Sequence, residues 1–201
     1  MLTYLQYLRI TFQNALNALK FIFIGRSNRI ESKKPRGGVA VYKNKKFEQS
    51  MEVVCNALRE CVVCRVTNTN LILAAVYIPP SNSEYFDEIY MKNLELLCNG
   101  FKSSHLLIAG DCNARVGAIS YTDSTIKHLE NPDMAINHNG RELKRFIAAN
   151  EDMVVLNGYS HPLLGTFDSK FTYYRGTLKS QNDVALSNRI DDITSFRDLL
   201  K

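Results

Sequence analysis

No apolar stretch of this chain is long enough to cross a membrane, because Arg9 and Lys20 interrupt the hydrophobic N-terminal region far short of the roughly 20 residues a span needs. No basic segment leading into an apolar core and a small-residue cleavage motif is found there either. Membrane attachment and secretion are therefore not expected, and an intracellular location, nuclear or cytoplasmic, is. Cysteine is scarce and odd in number, five in 201 residues without regular spacing. That argues against a disulfide framework and agrees with a reducing compartment. Cys61-Val62-Val63-Cys64 has no second Cys-x-x-Cys to complete a zinc site. It lies in a run that reads as a strand, where the two thiols face opposite sides of a sheet as buried filler. Repeats and low-complexity segments are also missing. What is left, 45% apolar and 22% charged, fits one ordinary globular core.

Charge is present but uneven. The net value is +5, yet residues 26–46 alone hold Arg26, Arg29, Lys33, Lys34, Arg36, Lys43, Lys45 and Lys46 against the single acid Glu31. Such a patch suits a polyanion, nucleic acid above all, since neutralised phosphates release counterions. A solvated basic loop beside a hairpin accounts for the same residues.

Strands come first and then alternate with helices. Residues 37–42 open a strand whose basic continuation at 43–46 is expected to turn into a hairpin partner at 52–56. Apolar runs at 61–66 and 71–77 are joined by Thr67-Asn68-Thr69-Asn70, turn chemistry for an antiparallel pair, and Pro79-Pro80 ends the second run. Asn82 or Ser83 is expected to cap a helix reaching about Cys98, and 140–149 reads as a second helix. Further strands are expected at 106–109, 153–156, 171–174 and 183–186, with another beginning at 193–196, and a long loop runs to about Asn137. An N-terminal helix and short strand occupy 1–25, and 26–201 form the main domain. The pattern predicts an α/β fold of two packed sheets covered by helices.

The chemistry concentrates where Leu106-Leu107-Ile108-Ala109 stops at Gly110 and releases Asp111 and Asn113. A buried strand ending at a glycine delivers side chains to the crevice at the carboxyl edge of a sheet. Two residues apart on extended backbone, the carboxylate and the carboxamide address one target. The carboxylate can take a proton or hold a cation, and the amide can bond a phosphate oxygen without adding negative charge. An Asx turn that merely caps backbone amides explains the same spacing.

Four separated motifs then agree in order: Arg36-Gly37-Gly38-Val39-Ala40-Val41-Tyr42, Ala75-Val76-Tyr77-Ile78-Pro79-Pro80, Gly110-Asp111-Cys112-Asn113-Ala114-Arg115-Val116-Gly117 and Ser180-Gln181-Asn182-Asp183. Together they resemble the endonuclease/exonuclease/phosphatase (DNase I-like) superfamily, and more narrowly the endonuclease domain of non-LTR retrotransposons. The resemblance implies a four-layer sandwich of two mixed β-sheets flanked by helices. It implies a DNA-nicking phosphodiesterase that uses magnesium or manganese, with a reverse transcriptase of the same element as a further partner. By the same resemblance Asp111 orients or deprotonates the attacking water, while Asn113 binds the phosphate and joins Asp111 at the metal. Tyr77 hydrogen-bonds the phosphate, and Asp183 matches the aspartate that fixes a catalytic histidine. Lys33, Lys34, Arg36 and Arg115 are expected to contact nucleic acid. Tyr77 also reads as a rim tyrosine, Asp183 as a hairpin carboxylate and Asn139 as a helix cap.

The departures are as informative. Cys112 stands where the family has phenylalanine, and Val184 where it commonly has tyrosine. An asparagine-bearing first strand, a metal-binding glutamate in a Gln-Glu-Thr-like context and a terminal Ser-Asp-His are not found, so the pattern reads as a member cut at both ends. His105, His128, His138 and His161 are in the wrong contexts for the catalytic histidine. Two other outcomes stay open on these residues: a nucleic-acid-binding remnant without turnover, and a phosphatase or phospholipase of the same fold.

Overall fold

The computed structural model describes residues 21–27, 38–44, 49–117, 132–150, 152–158, 160–161, 165–166, 172–175 and 177–189. Three strands form its core: β4 (Cys61–Val66), β5 (Leu71–Tyr77) and β6 (His105–Asp111). Their apolar runs have the length and β-branched content that favour a strand buried on both faces. The Thr67–Asn70 turn joins β4 and β5 as an antiparallel pair, with Asn68 at φ 62°. Helix α1 (Ile89–Gly100) crosses over to bring β6 in parallel to β5.

Around these lie β3 (Met51–Cys55), α2 (His138–Ala149), β7 (Val154–Val155) and β12 (Asp183–Ser187). Together the strands make a six-stranded mixed sheet in the order β3-β4-β5-β6-β12-β7. A second, two-stranded sheet pairs β1 (Phe21–Ser27) with β2 (Val39–Asn44). Short pairs β8 (Ser160–His161) with β9 (Gly165–Thr166), and β10 (Tyr173–Arg175) with β11 (Leu178–Ser180), complete the described strands.

Alternation along the strands separates two faces. On one, Cys61, Val63, Ile72, Ala74, Val76, Leu106 and Ile108 pack in a single core with Tyr90, Leu94 and Leu97 of α1 and Leu143, Phe146 and Ile147 of α2. On the other, Val62 and Cys64 meet Val39 of β2, with Ala75 and Tyr77 against them. Each wholly buried side chain such as Ile72, Leu106 or Leu186 contributes about 1.5–3 kcal/mol of transfer free energy. The α/β class is thus as expected from sequence, with helices on one face of the large sheet and a small sheet on the other. Cys61 and Cys64 do part to opposite faces, and burial pushes their thiols up to about 12 and about 11.

Two local expectations are corrected. The strand opened by Val39 does not form a hairpin with 52–56; β2 pairs with β1, while β3 pairs with β4 across the turn before Cys61. The helix expected from residue 82 begins only at Ile89, because Ser83 and Asp87 spend their side chains on local turns, accepting from Tyr85 N at 3.2 Å and Ile89 N at 3.0 Å. No helix among the described residues is long and apolar enough to cross a membrane. The N-terminal helix, Glu31, His128, the strand at 193–196 and the basic side chains of Lys33, Lys34 and Arg36 lie outside the described residues.

Candidate active site

Register places three of the expected site residues in one row. Tyr77 is the partner of Asp111 across the parallel pair, and Asp183 is the partner of Asp111 on the antiparallel side. Partners in register project to the same face, here the one that carries the small sheet. The row lies at the carboxyl end of β5 and β6, the end at which α/β sheets place ligands.

Gly110 makes the approach possible, since a Cβ there would stand 1.9 Å from Val76 O. Asp111 is partly buried in the row. Burial pushes its carboxyl up to about 6; a hydrogen bond from Asn113 N, 3.0 Å from Oδ1, pulls it down, and the charge of Asp183 pushes it up again. The carboxylate of Asp183 takes no hydrogen bond or ion pair among the described residues. Its backbone is held instead: Thr172 Oγ1 accepts from Asn182 N at 3.0 Å and Asp183 N at 3.1 Å, and Asn157 bridges Asp183 O and Ala185 N.

Asn113 does not continue the strand, as simple alternation would have it. It adopts φ 45° and closes an Asx turn on Asp111. Its Nδ2 donates to Ile78 O at 3.0 Å, which ties the β6 exit to the β5 exit. The second amide hydrogen and Oδ1 take no partner among the described residues. What joins residues 111 and 113 is therefore a backbone-to-side-chain bond, while the carboxamide turns to the β5 exit. Cys112, between them, points into the core at 1% exposure.

Arg115 sits four residues beyond Asp111, and its guanidinium grips Asp133 with Nε to Oδ2 at 2.8 Å and Nη2 to Oδ1 at 2.6 Å. Burial raises the Asp133 carboxyl, but the Arg115 bond and the amides of Gln181 and Ala135 outweigh it and hold the group below its usual value. Arg115 is raised in turn, chiefly by the same hydrogen bond. This pair links the loop after β6 to the segment before α2 and to Gln181 before β12. Nothing in the local sequence around Asp133 announces it.

Asn139 is a second residue that sequence reading places in another role. The cap of α2 is Asn137, whose Oδ1 accepts from Gly140 N at 2.8 Å. Asn139 is fully buried inside the first turn and donates to Pro79 O at 2.9 Å and Cys112 O at 3.1 Å. With asparagines at both 137 and 139, sequence alone does not separate the cap from the tie.

Histidine does not join the row among the described residues. His105 is at the opposite end of β6 from Asp111, its Nε2 3.3 Å from Ser187 Oγ, and the His138 ring packs edge-on against Phe86 at 5.6 Å. Nor do three or more His, Cys, Asp or Glu converge on a possible metal position among the described residues.

No protein-family model and no curated protein matches the chain. Among solved structures it is similar to a 3'-5' exonuclease (NExo) from Neisseria meningitidis, with a TM-score of 0.54 and 14% identity over 91% of this chain and 82% of that one. An AP endonuclease from Archaeoglobus fulgidus gives a TM-score of 0.43 and 16% identity over 84% of this chain and 66% of that one. The first likeness is one of fold: the two chains share a mixed α/β architecture.

Proposed function

We propose that the chain is a metal-dependent phosphodiesterase that nicks DNA, related to the endonuclease domains of non-LTR retrotransposons, which act beside a reverse transcriptase of the same element. The observation that supports it most is the row Tyr77-Asp111-Asp183 at the carboxyl end of a parallel strand pair, with Asn113 folded over it. The donor set fits magnesium or manganese. Such ions are held by one or two carboxylates and complete their shell with water and phosphate oxygens. Burial and the like charge of Asp183 both disfavour the Asp111 anion, so a divalent cation held by Asp111, Asp183 and Asn113 offsets a cost built into the site. When bound, the ion supplies charge neutralisation on the phosphate and acidifies a bound water.

The chain's own residues do the rest. The part assigned to Asp111 is to orient the attacking water or take its proton. Asn113 offers its second amide hydrogen to a phosphate oxygen, and Tyr77 flanks the same position. Lys33, Lys34 and Arg36 provide the electrostatic contact with the DNA backbone. Arg115, already bidentate to Asp133, shapes the loop and has donors to spare for a phosphate.

A non-catalytic nucleic-acid-binding role is the second reading, and one observation favours it: Asp183 hydrogen-bonds no histidine among the described residues. The two are separated by incubating supercoiled plasmid with the protein in magnesium and in EDTA, alongside an inositol phosphate. Nicked circles that form only with magnesium are the expected result. Salt-sensitive binding without nicking supports the second reading. Phosphate release from the headgroup with intact plasmid contradicts both.

A further inference from the structure

The first turn of α2 reaches into the candidate site from outside the sheet. Asn137 Oδ1, besides capping Gly140 N, accepts from Arg115 N at 3.0 Å, while its Nδ2 donates to Asn113 O at 2.7 Å. Asn113 is thereby held at three points: its N–H by Asp111, its side chain by Ile78 O and its carbonyl by Asn137. A left-handed backbone at a residue other than glycine persists only where its surroundings fix it. Asn139 meanwhile bonds Pro79 O and Cys112 O, one from each strand exit, and so sets the spacing between the turn after Tyr77 and the turn after Asp111.

Packing alone does not call for these groups. Asn139 Oδ1 is buried with no partner among the described residues, a cost that an apolar side chain at the same place would avoid. The donors are what this position supplies, and both point at backbone that carries site residues.

We infer that Asn137 and Asn139 are positioning residues, which seat Asn113 and Asp111 against the strand of Tyr77 without touching substrate. The kinetic part of this inference rests on the nuclease reading; the structural part does not.

Asn137→Ser tests it, because serine caps a helix about as well as asparagine but has no amide to donate to Asn113 O. Plasmid nicking in magnesium and hydrogen exchange of the Asn113 amide are measured on the same preparation. The expected result is a kcat about tenfold lower with KM within about twofold, since loss of orientation acts on the chemical step. Exchange at Asn113 should accelerate about tenfold as its turn loosens, while the Tm stays within about 2 °C. Asn137→Asp, which keeps both acceptor contacts, should accelerate the same exchange. Unchanged exchange at Asn113 in both variants overturns the inference whatever kcat does. Faster exchange with wild-type kcat overturns the catalytic part. If the wild-type protein does not nick, the nuclease reading falls, and exchange alone then decides whether Asn137 seats Asn113.

Discussion

Asp111→Asn is expected to lower nicking by on the order of a thousandfold while making the protein more stable above neutral pH. The two effects have one cause. The carboxyl of Asp111 titrates at about 6 in the folded chain, against a usual 3.8, because it is buried and faces Asp183. Below the usual value it is protonated in both folded and unfolded chains, and ionisation costs the fold nothing. As pH rises between those values the unfolded chain loses the proton first, so the fold is progressively destabilised, and above about 6 the full penalty is present. Discounted for its partial exposure, that penalty is about 2 kcal/mol. The carboxamide carries no charge and can still accept the Asn113 N–H. Thermal melts should therefore show a Tm higher by roughly 4–8 °C at pH 8, with no gain at pH 3.5. A gain independent of pH, or a loss at pH 8, contradicts this account of the site.

The second large effect is on folding. Gly140→Ala should destabilise the chain by more than about 3 kcal/mol, although helix propensity alone predicts a gain of up to about 1 kcal/mol. A Cβ at Gly140 would stand 1.9 Å from Arg115 O and 2.6 Å from its carbonyl carbon, so α2 has to retreat from the loop after β6. Retreat breaks the Asn137 contacts to Arg115 N and Asn113 O together. Gly100, the last residue of α1, is the control, because nothing lies within 4 Å of a Cβ there. Chemical denaturation of the two alanine variants should give opposite signs; a neutral Gly140→Ala contradicts the close approach.

These cases show which parts of the molecule were readable before its structure. The strand ending at Asp111 was legible because burial on both faces demands an uncharged run and the exit demands Gly110. Pairing of β4 with β5 was legible because a short polar turn leaves an antiparallel partner little choice. Partner choice for β2 was not legible, since the basic continuation after Tyr42 suggested a local hairpin and the actual partner precedes it across residues 28–38. The row of Tyr77, Asp111 and Asp183 came from family resemblance, and register supplies the geometry that spacing could not. Alternation failed at Asn113, where the Asp111 side chain, accepting from the Asn113 amide, outcompetes the strand. Asp133, Asn137 and Asn139 were missed or misassigned for a common reason: each acts through a partner 18 to 60 residues away.

The most direct test of the central claim is where a divalent cation binds. Manganese added to the isotope-labelled protein should broaden the amide signals of Asp111, Asn113 and Asp183 first. Those at the His105 and Ser187 end of the same strands, roughly 20 Å away by strand rise, should stay sharp. Asp111→Asn should weaken the effect severalfold. Broadening centred elsewhere, or none at millimolar manganese, would contradict a metal-dependent site at this strand end.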